Sequence, residues 1–438
     1  VEEELFMNRK KLLVTGLCTA AIVGLGSVGA SAEEKIAPKT LEFLEATTIS
    51  GYVQASYVLN VDGGAADNNR RNGRDPGYTS GTYVNHWRAF DNDEGFTLNA
   101  IKLVLEKPLG EGDWAAGYRV DLLFGDDATQ LNRAEGSSGP FFDADDDNPE
   151  EQGMGLYLEQ GYVAFRVPVG NGIDFKFGRF VALSGYEVIE GPANLNFSRG
   201  LLFTFAEPLG YTGILAAHRW NDTFDTQIGL VNGWNSWSED DNVSPALITR
   251  QGFRNSSGTF SLGVSTFLGD ARTSDTAFGG IGTSASTLRY VNGVMNWKPT
   301  EKVLIGADSV FGVQQKAVNN HHTEQFWGVG AYGKVQATEK VYLAGRAEYL
   351  HARHGAIFGI NRSGFDPNIV GDPGAGSSPK PVNTWEVTGT IGIDVWKNLL
   401  MRFEGRVDQA SAPGPAADSP FHPQGTQVTL SADASYSF

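Results

Sequence analysis

One cysteine stands in 438 residues. That excludes a disulfide scaffold, a multi-cysteine zinc or iron–sulfur site, and haem attached through a C-x-x-C-H run. Basic charge is short as well: 34 Lys and Arg against 51 Asp and Glu leave a formal net charge of −17. Phosphate binding needs a net basic face, so nucleic acid is excluded as a partner. Beyond Ala32 no apolar run approaches the roughly 20 residues of a membrane helix. With 41% hydrophobic and 19% charged residues, the chain is not generically disordered. Glycine, by contrast, is abundant, at 55 residues.

The N-terminus reads as an address. Asn8, Arg9, Lys10 and Lys11 form a basic stretch after Met7, and a mostly apolar run follows from Leu12 to Val28. Ala30-Ser31-Ala32 fits a small-x-small cleavage pattern, so 1–32 is expected to be a secretory signal peptide with an upstream extension, Val1–Phe6. Cys18 lies inside the apolar run, and Leu17 before it is wrong for a lipoprotein box. Residues 33–46 are expected to be a short periplasmic segment, and 47–438 one barrel.

From there the chain alternates apolar and polar residues. In the last segment Val428, Leu430, Ala432, Ala434, Tyr436 and Phe438 share one face, and Thr429, Ser431, Asp433, Ser435 and Ser437 the other. Trp385, Val387, Ile391 and Ile393 likewise oppose Glu386, Thr388, Thr390 and Asp394. This period of two is the mark of a strand. Sixteen such segments are expected, near 47–59, 96–107, 114–124, 157–167, 173–182, 209–220, 223–232, 246–255, 258–268, 287–298, 302–313, 325–336, 340–352, 385–396, 398–409 and 427–438. Counts of 14 or 18 stay open.

Three features separate a membrane barrel from a soluble sandwich. Seven tight connections, at Gly110, Asn171, Asn221, Ser256, Thr300, Thr338 and Lys397, alternate with eight long ones of about 10 to about 36 residues. Barrels of the outer membrane have short periplasmic turns and long external loops. Trp114, Trp220, Trp297 and Trp396 border short turns, while Trp234, Trp327 and Trp385 lie toward long loops, as in aromatic belts. The chain ends on Phe438 at the tip of an apolar face. The expected fold class is therefore all-β: a transmembrane antiparallel up-and-down barrel.

A ring this wide cannot be filled by its wall side chains and should hold water. Expected to line that lumen are Lys102, Glu106, Arg119, Asp121, Arg166, Asp174, Lys176, Asp308, Lys334, Arg346, Glu348, Asp394, Arg402, Glu404, Arg406 and Asp408. The third long connection, 183–208, is less acidic and more apolar than the others. It is the candidate for a loop folded inward, with Tyr186, Glu187, Glu190, Asn194, Asn196, Ser198 and Arg199 at a pore constriction. Its carboxylates would face a guanidinium across the opening and set a transverse field. An external loop, or an extra strand at 201–206, stays open.

From Asp126 to Glu151 the second long connection carries nine acids and one base. Asp143, Asp145 and Asp147 mimic the first ligands of an EF-hand loop, but Asn148 replaces the expected Gly and Met154 the expected Glu. The bland reading is a solvated acidic surface, with a loose metal site as the weak alternative. Such acid at the outer mouth should favour cations at low salt. No Ser motif accompanies His86, His218, His321, His322, His351, His354 and His422, so no enzyme constellation is expected.

The run FKFGRFVALSGYEVIEGPANLNFSRG at Phe175–Gly200 resembles the OmpL-like β-barrel porin family. So do ISGYVQASYVLN at Ile49–Asn60, YRVDLLFGDDA at Tyr118–Ala128 and YVAFRVPVGNGIDFKFGRF at Tyr162–Phe180. Gly185, Tyr186, Glu187, Pro192, Asn194, Ser198 and Arg199 carry the most distinctive part. The resemblance implies a pore-forming barrel in the bacterial outer membrane, without cofactor. It names no solute. The expected partners are the lipid bilayer and small hydrophilic solutes or ions, with a homotrimer as an open assembly. A plugged or sheathing barrel that holds a partner is the rival reading, and a barrel hydrolase the remote one.

Overall fold

The computed structural model describes residues 46–61, 94–134, 155–236, 245–272, 285–318, 322–354 with 357, 381–411 and 426–438. The N-terminal address, most of 33–46, the Asp143, Asp145 and Asp147 cluster, His86, His321 and His422 lie outside these.

Each alternating segment forms a strand: β1 (Thr48–Asn60), β2 (Gly95–Lys107), β3 (Ala115–Phe124), β4 (Leu156–Val167), β5 (Ile173–Val181), β6 (Gly210–Arg219), β7 (Phe224–Val231) and β8 (Ala246–Arg254). There follow β9 (Phe260–Arg272), β10 (Ala285–Thr300), β11 (Val303–Val318), β12 (His322–Gln336), β13 (Val341–Ala352), β14 (Val382–Trp396), β15 (Leu399–Ser411) and β16 (Thr426–Ser437). Every strand pairs antiparallel with its sequence neighbours, and β1 pairs with β16 to close the ring. Phe438 N–H donates to the Gly51 carbonyl at 3.0 Å, and Gly51 N–H returns to the Phe438 carbonyl at 3.1 Å. Closure leaves no edge, so every strand has a partner on both sides.

The two faces of the ring have inverted polarity. On β14, Trp385, Val387 and Ile391 are exposed on the outside, while Glu386, Thr388 and Thr390 are buried inside. The pattern recurs on β1, where Val53, Tyr57 and Leu59 face out and Gln54, Ser56 and Asn60 face in. An unbroken apolar exterior is not stable against water, and lipid is the solvent that suits it.

The turns also divide as the sequence implies, with one exception. β11 and β12 run further than expected, to Val318 and from His322, so the connection counted as long is a hairpin. Trp114, Trp220, Trp297, Trp327, Trp385 and Trp396 are all exposed outside. Trp234 is not: it is 4% exposed and packs edge-on against Phe267 and Tyr290 within the ring. Its place near a strand end made it look like a belt residue; an apolar cluster inside the barrel claims it instead.

The second long connection opens with a helix, α1 (Asp126–Ala134), which the sequence reading did not foresee. Ala128 and Leu131 pack inward against Tyr52, Leu123, Tyr157, Ile189 and Phe203. Asp127 is buried, contrary to the expectation of a solvated acidic loop over its whole length.

Candidate functional site

Residues 182–209 leave the wall after β5, cross the interior and return at β6. They form neither an external loop nor an extra strand: Gly191–Ala193 is a short 3₁₀ turn and Leu202–Ala206 a turn of π-helix. Pro192 suits the first turn because its missing N–H would have no partner there. Asn194 braces the bend, accepting from Val188 N–H at 2.9 Å and donating to the Val188 carbonyl at 2.7 Å.

The anchors of this segment run around most of the ring. Near its start, Ser265 on β9 donates to the Leu183 carbonyl, Asn292 on β10 accepts from Gly185 N–H, and Asp308 on β11 accepts from Tyr186 N–H at 2.7 Å. Tyr186 stacks on Tyr332 with centroids 4.0 Å apart. Room for that ring comes from Gly306, where an added Cβ would overlap the Tyr186 ring at Cε2. Gly306→Ala should therefore unstack Tyr186 and cost about 1–3 kcal/mol, a typical overpacking penalty. Denaturant titration of the folded chain checks this, and unchanged stability would contradict it.

Further along, the charges predicted for the lumen grip the segment. Arg346 donates to Glu187 at 2.6 Å and to Glu386 at 2.8 Å, and to the Ser198 carbonyl. Lys102 sits among Glu159, Glu190 and Asp121 at 2.7, 2.6 and 3.2 Å. These three carboxylates have the spacing of a metal site, and the ammonium takes the place a cation would occupy. Burial alone would raise the Glu190 carboxyl, but Lys102 outweighs it and holds the group below the usual range. Arg402 clamps Asp433 with two bonds and donates through Nη1 to the carbonyls of Gly191, Asn194 and Asn196, each at 3.0 Å.

Glu404 accepts from Phe197 and Ser198 N–H, and Asn196 donates to Thr390 at 2.7 Å. Arg406 pairs with Asp408 and donates to the Arg199 carbonyl at 2.6 Å. Glu348 accepts from Leu202 N–H at 3.0 Å and lies against Gly200, where any Cβ would meet its carboxylate. Arg199 reaches the Ile189 carbonyl and, at 3.4 Å, Asp127 of α1.

Glu187 and Glu190 thus pair directly with wall cations; they do not face a guanidinium across a gap. Lys102, Asp121, Asp308, Arg346, Glu348, Arg402, Glu404, Arg406 and Asp408 point inward but are buried. Only the candidates toward the short-turn end stay open to solvent: Glu106, Arg119, Arg166, Asp174, Lys176 and Lys334 are partly exposed, and Asp394 is exposed. Lys176 and Lys334 lie over the rings of Tyr162 and Tyr342. His218 and His351 lie on β6 and β13, and His354 just beyond β13; none of the described histidines joins a metal-ligating cluster.

In the opposite half, apolar residues replace charge. Leu201, Leu202, Phe205 and Ala206 of the segment pack on Tyr211, Leu215, Val231, Ile248, Phe267 and Leu350 of the wall. Each large side chain fully buried in this way contributes about 1.5–3 kcal/mol. Beside this cluster Glu207 is buried, and burial, with Asp308 adjacent, raises its carboxyl well above the ordinary range.

Burial also pushes the Asp127 carboxyl up to about 7, against the pull of Arg199. The folded state therefore holds this proton more tightly than the unfolded chain does. Its contribution to stability is complete below pH about 4 and is lost as pH rises toward about 7. Asp127→Asn should remove this slope, read as hydrogen-exchange protection of 126–134 between pH 4 and 8. A slope that persists in the variant would contradict the assignment.

A family model described as "Putative beta-barrel porin-2, OmpL-like" matches residues 46–438. No curated protein matches the chain. Among solved structures, the trimer form of OmpT from Vibrio cholerae aligns with TM-score 0.55 at 10% identity, over 90% of this chain and 99% of that one. The outer membrane channel DcaP of Acinetobacter baumannii gives 0.54 at 12%, over 90% and 97%. An anion-selective porin from Comamonas acidovorans gives 0.53 at 12%, over 90% and 99%. At such identities the likeness is one of fold.

Proposed function

Because this chain belongs to the Putative beta-barrel porin-2, OmpL-like family, we propose that it is a passive channel of the bacterial outer membrane for small hydrophilic solutes or ions. The observation that carries this reading is the inverted polarity of a closed ring: apolar side chains outside, charged and amide side chains within. The half-exposed charges at the short-turn end form the entrance chamber, and 183–208 sets the size limit. Export is through the address in 1–32. The work is diffusion down a gradient, so no catalytic step or cofactor enters it. OmpT has a trimer form, and a homotrimer is the assembly to test here by cross-linking in membranes.

A plugged barrel is the second reading. It is favoured by the apolar cluster that fills one half of the ring around Leu202 and Phe205. Reconstitution into a planar bilayer separates the two. A porin gives stepwise conductance, and a plugged barrel stays silent.

A further inference from the structure

At the start of the inward segment, beside Leu183, Gly185 and Tyr186, lies a cavity of about 220 Å³. Tyr186 borders it from the segment, and Arg250, Ser261, Ser265 and Asn296 border it from β8, β9 and β10. Drug-sized ligand pockets begin near ~300 Å³, so an occupant here is a short chain or a single small ring. One cation and no carboxylate line the space.

The polar groups in it are underused by the protein. Arg250 donates from Nη1 to Asp225 on β7 at 3.1 Å, and this is its one ion pair among the described residues. A guanidinium has five N–H donors, so most of its fork is free for another acceptor. The Ser261 hydroxyl, the Asn296 amide and the Tyr186 hydroxyl make no side-chain hydrogen bond among the described residues. Ser265, by contrast, is spent on the Leu183 carbonyl and holds the segment over the cavity. A planar fork beside free hydroxyl and amide groups suits a carboxylate that also carries hydroxyls.

We propose that this cavity is a solute-binding subsite of the channel for a small hydroxylated carboxylate. Arg250 takes the carboxylate, and Ser261, Asn296 and Tyr186 take the hydroxyls. The subsite rests on the channel reading above. Asp225 tunes the site, because it competes with the solute for the same guanidinium.

The test is calorimetric titration of the folded full chain in detergent with sodium glycerate, and with glycerol as the uncharged match. Glycerate should bind at least tenfold more tightly than glycerol. Arg250→Gln should weaken glycerate at least tenfold and leave glycerol unchanged. Asp225→Asn should tighten glycerate severalfold, because it frees the guanidinium. A merely structural pair would make the two variants shift binding in the same direction. That result, equal affinity for the two probes, or no heat with glycerate would overturn the assignment. Bilayer conductance of the same preparation keeps the readings apart. Conductance without glycerate binding removes the subsite and leaves the channel. Glycerate binding without conductance removes the channel and its permeation role, and leaves the cavity's ligand assignment standing.

Discussion

Replacing Arg346 by alanine should loosen the inward segment more than any other single change in the interior. Its side chain is wholly buried and joins Glu187 of the segment to Glu386 of β14. It also donates to the carbonyl and hydroxyl of Ser198. Without the guanidinium, Glu187 faces Glu386 and Glu348 with its own ion pair gone, and among the described residues the one cation left beside Glu386 is Arg406 at 3.5 Å. Removing one partner of such a buried group typically costs about 3–5 kcal/mol. Because Glu187 belongs to the segment and the other carboxylates to the wall, the cost falls on docking and leaves the strand ladder intact. The variant should unfold at lower denaturant in detergent and give larger, noisier conductance steps. Arg346→Lys should fall between, since one ammonium cannot bridge the same set. Wild-type stability together with wild-type conductance would contradict the proposed grip.

The second large effect lies on the outside of the ring. Val387 is 52% exposed on β14 and points away from Glu386 and Thr388. An arginine there should cost about 2–4 kcal/mol if the position lies at the bilayer midplane, and one near an interface only about 0–1 kcal/mol. Trp396 ends the same strand beside a short turn, which makes Trp396→Arg the matched interface variant. Denaturant titration of folding into lipid vesicles measures both. Equal costs at the two sites would show that no depth gradient of lipid surrounds the barrel.

Most of the ring was legible in the sequence because its two faces differ in chemistry. On β14 and β15 charged or hydroxylated residues alternate with Val, Ile, Phe and Trp, and period two is plain. On β6 to β9 the contrast fades. The inward positions Leu215, Val231, Ile248 and Phe267 are apolar because they pack on the π-turn. Arg250 sits among them, and alternation alone gave no reason to single it out.

The inward course of 183–208 was readable from its low acidity and its apolar content. Its partners were not, because these contacts span long stretches of sequence: Arg346 pairs with Glu187, and Arg402 donates hydrogen bonds to the carbonyls of Gly191, Asn194 and Asn196. Glu386 and Asp433 were visible as polar-face residues, but nothing local marked them as anchors. Asp127 was missed for another reason. Nine acids in one connection suggested a wet surface, and only the fold shows α1 turning one of them inward to Arg199.

The central claim is that the exterior of this ring meets lipid while its alternate residues do not. Nitroxide labels placed one at a time at 384–391 on β14, with the chain folded in lipid vesicles, test it most directly. The account predicts that labels at 385, 387, 389 and 391 collide with membrane-dissolved oxygen, and that those at 384, 386, 388 and 390 are shielded from it. A uniform response along the strand, or collision of the odd-numbered labels with a water-soluble relaxant instead, would contradict it.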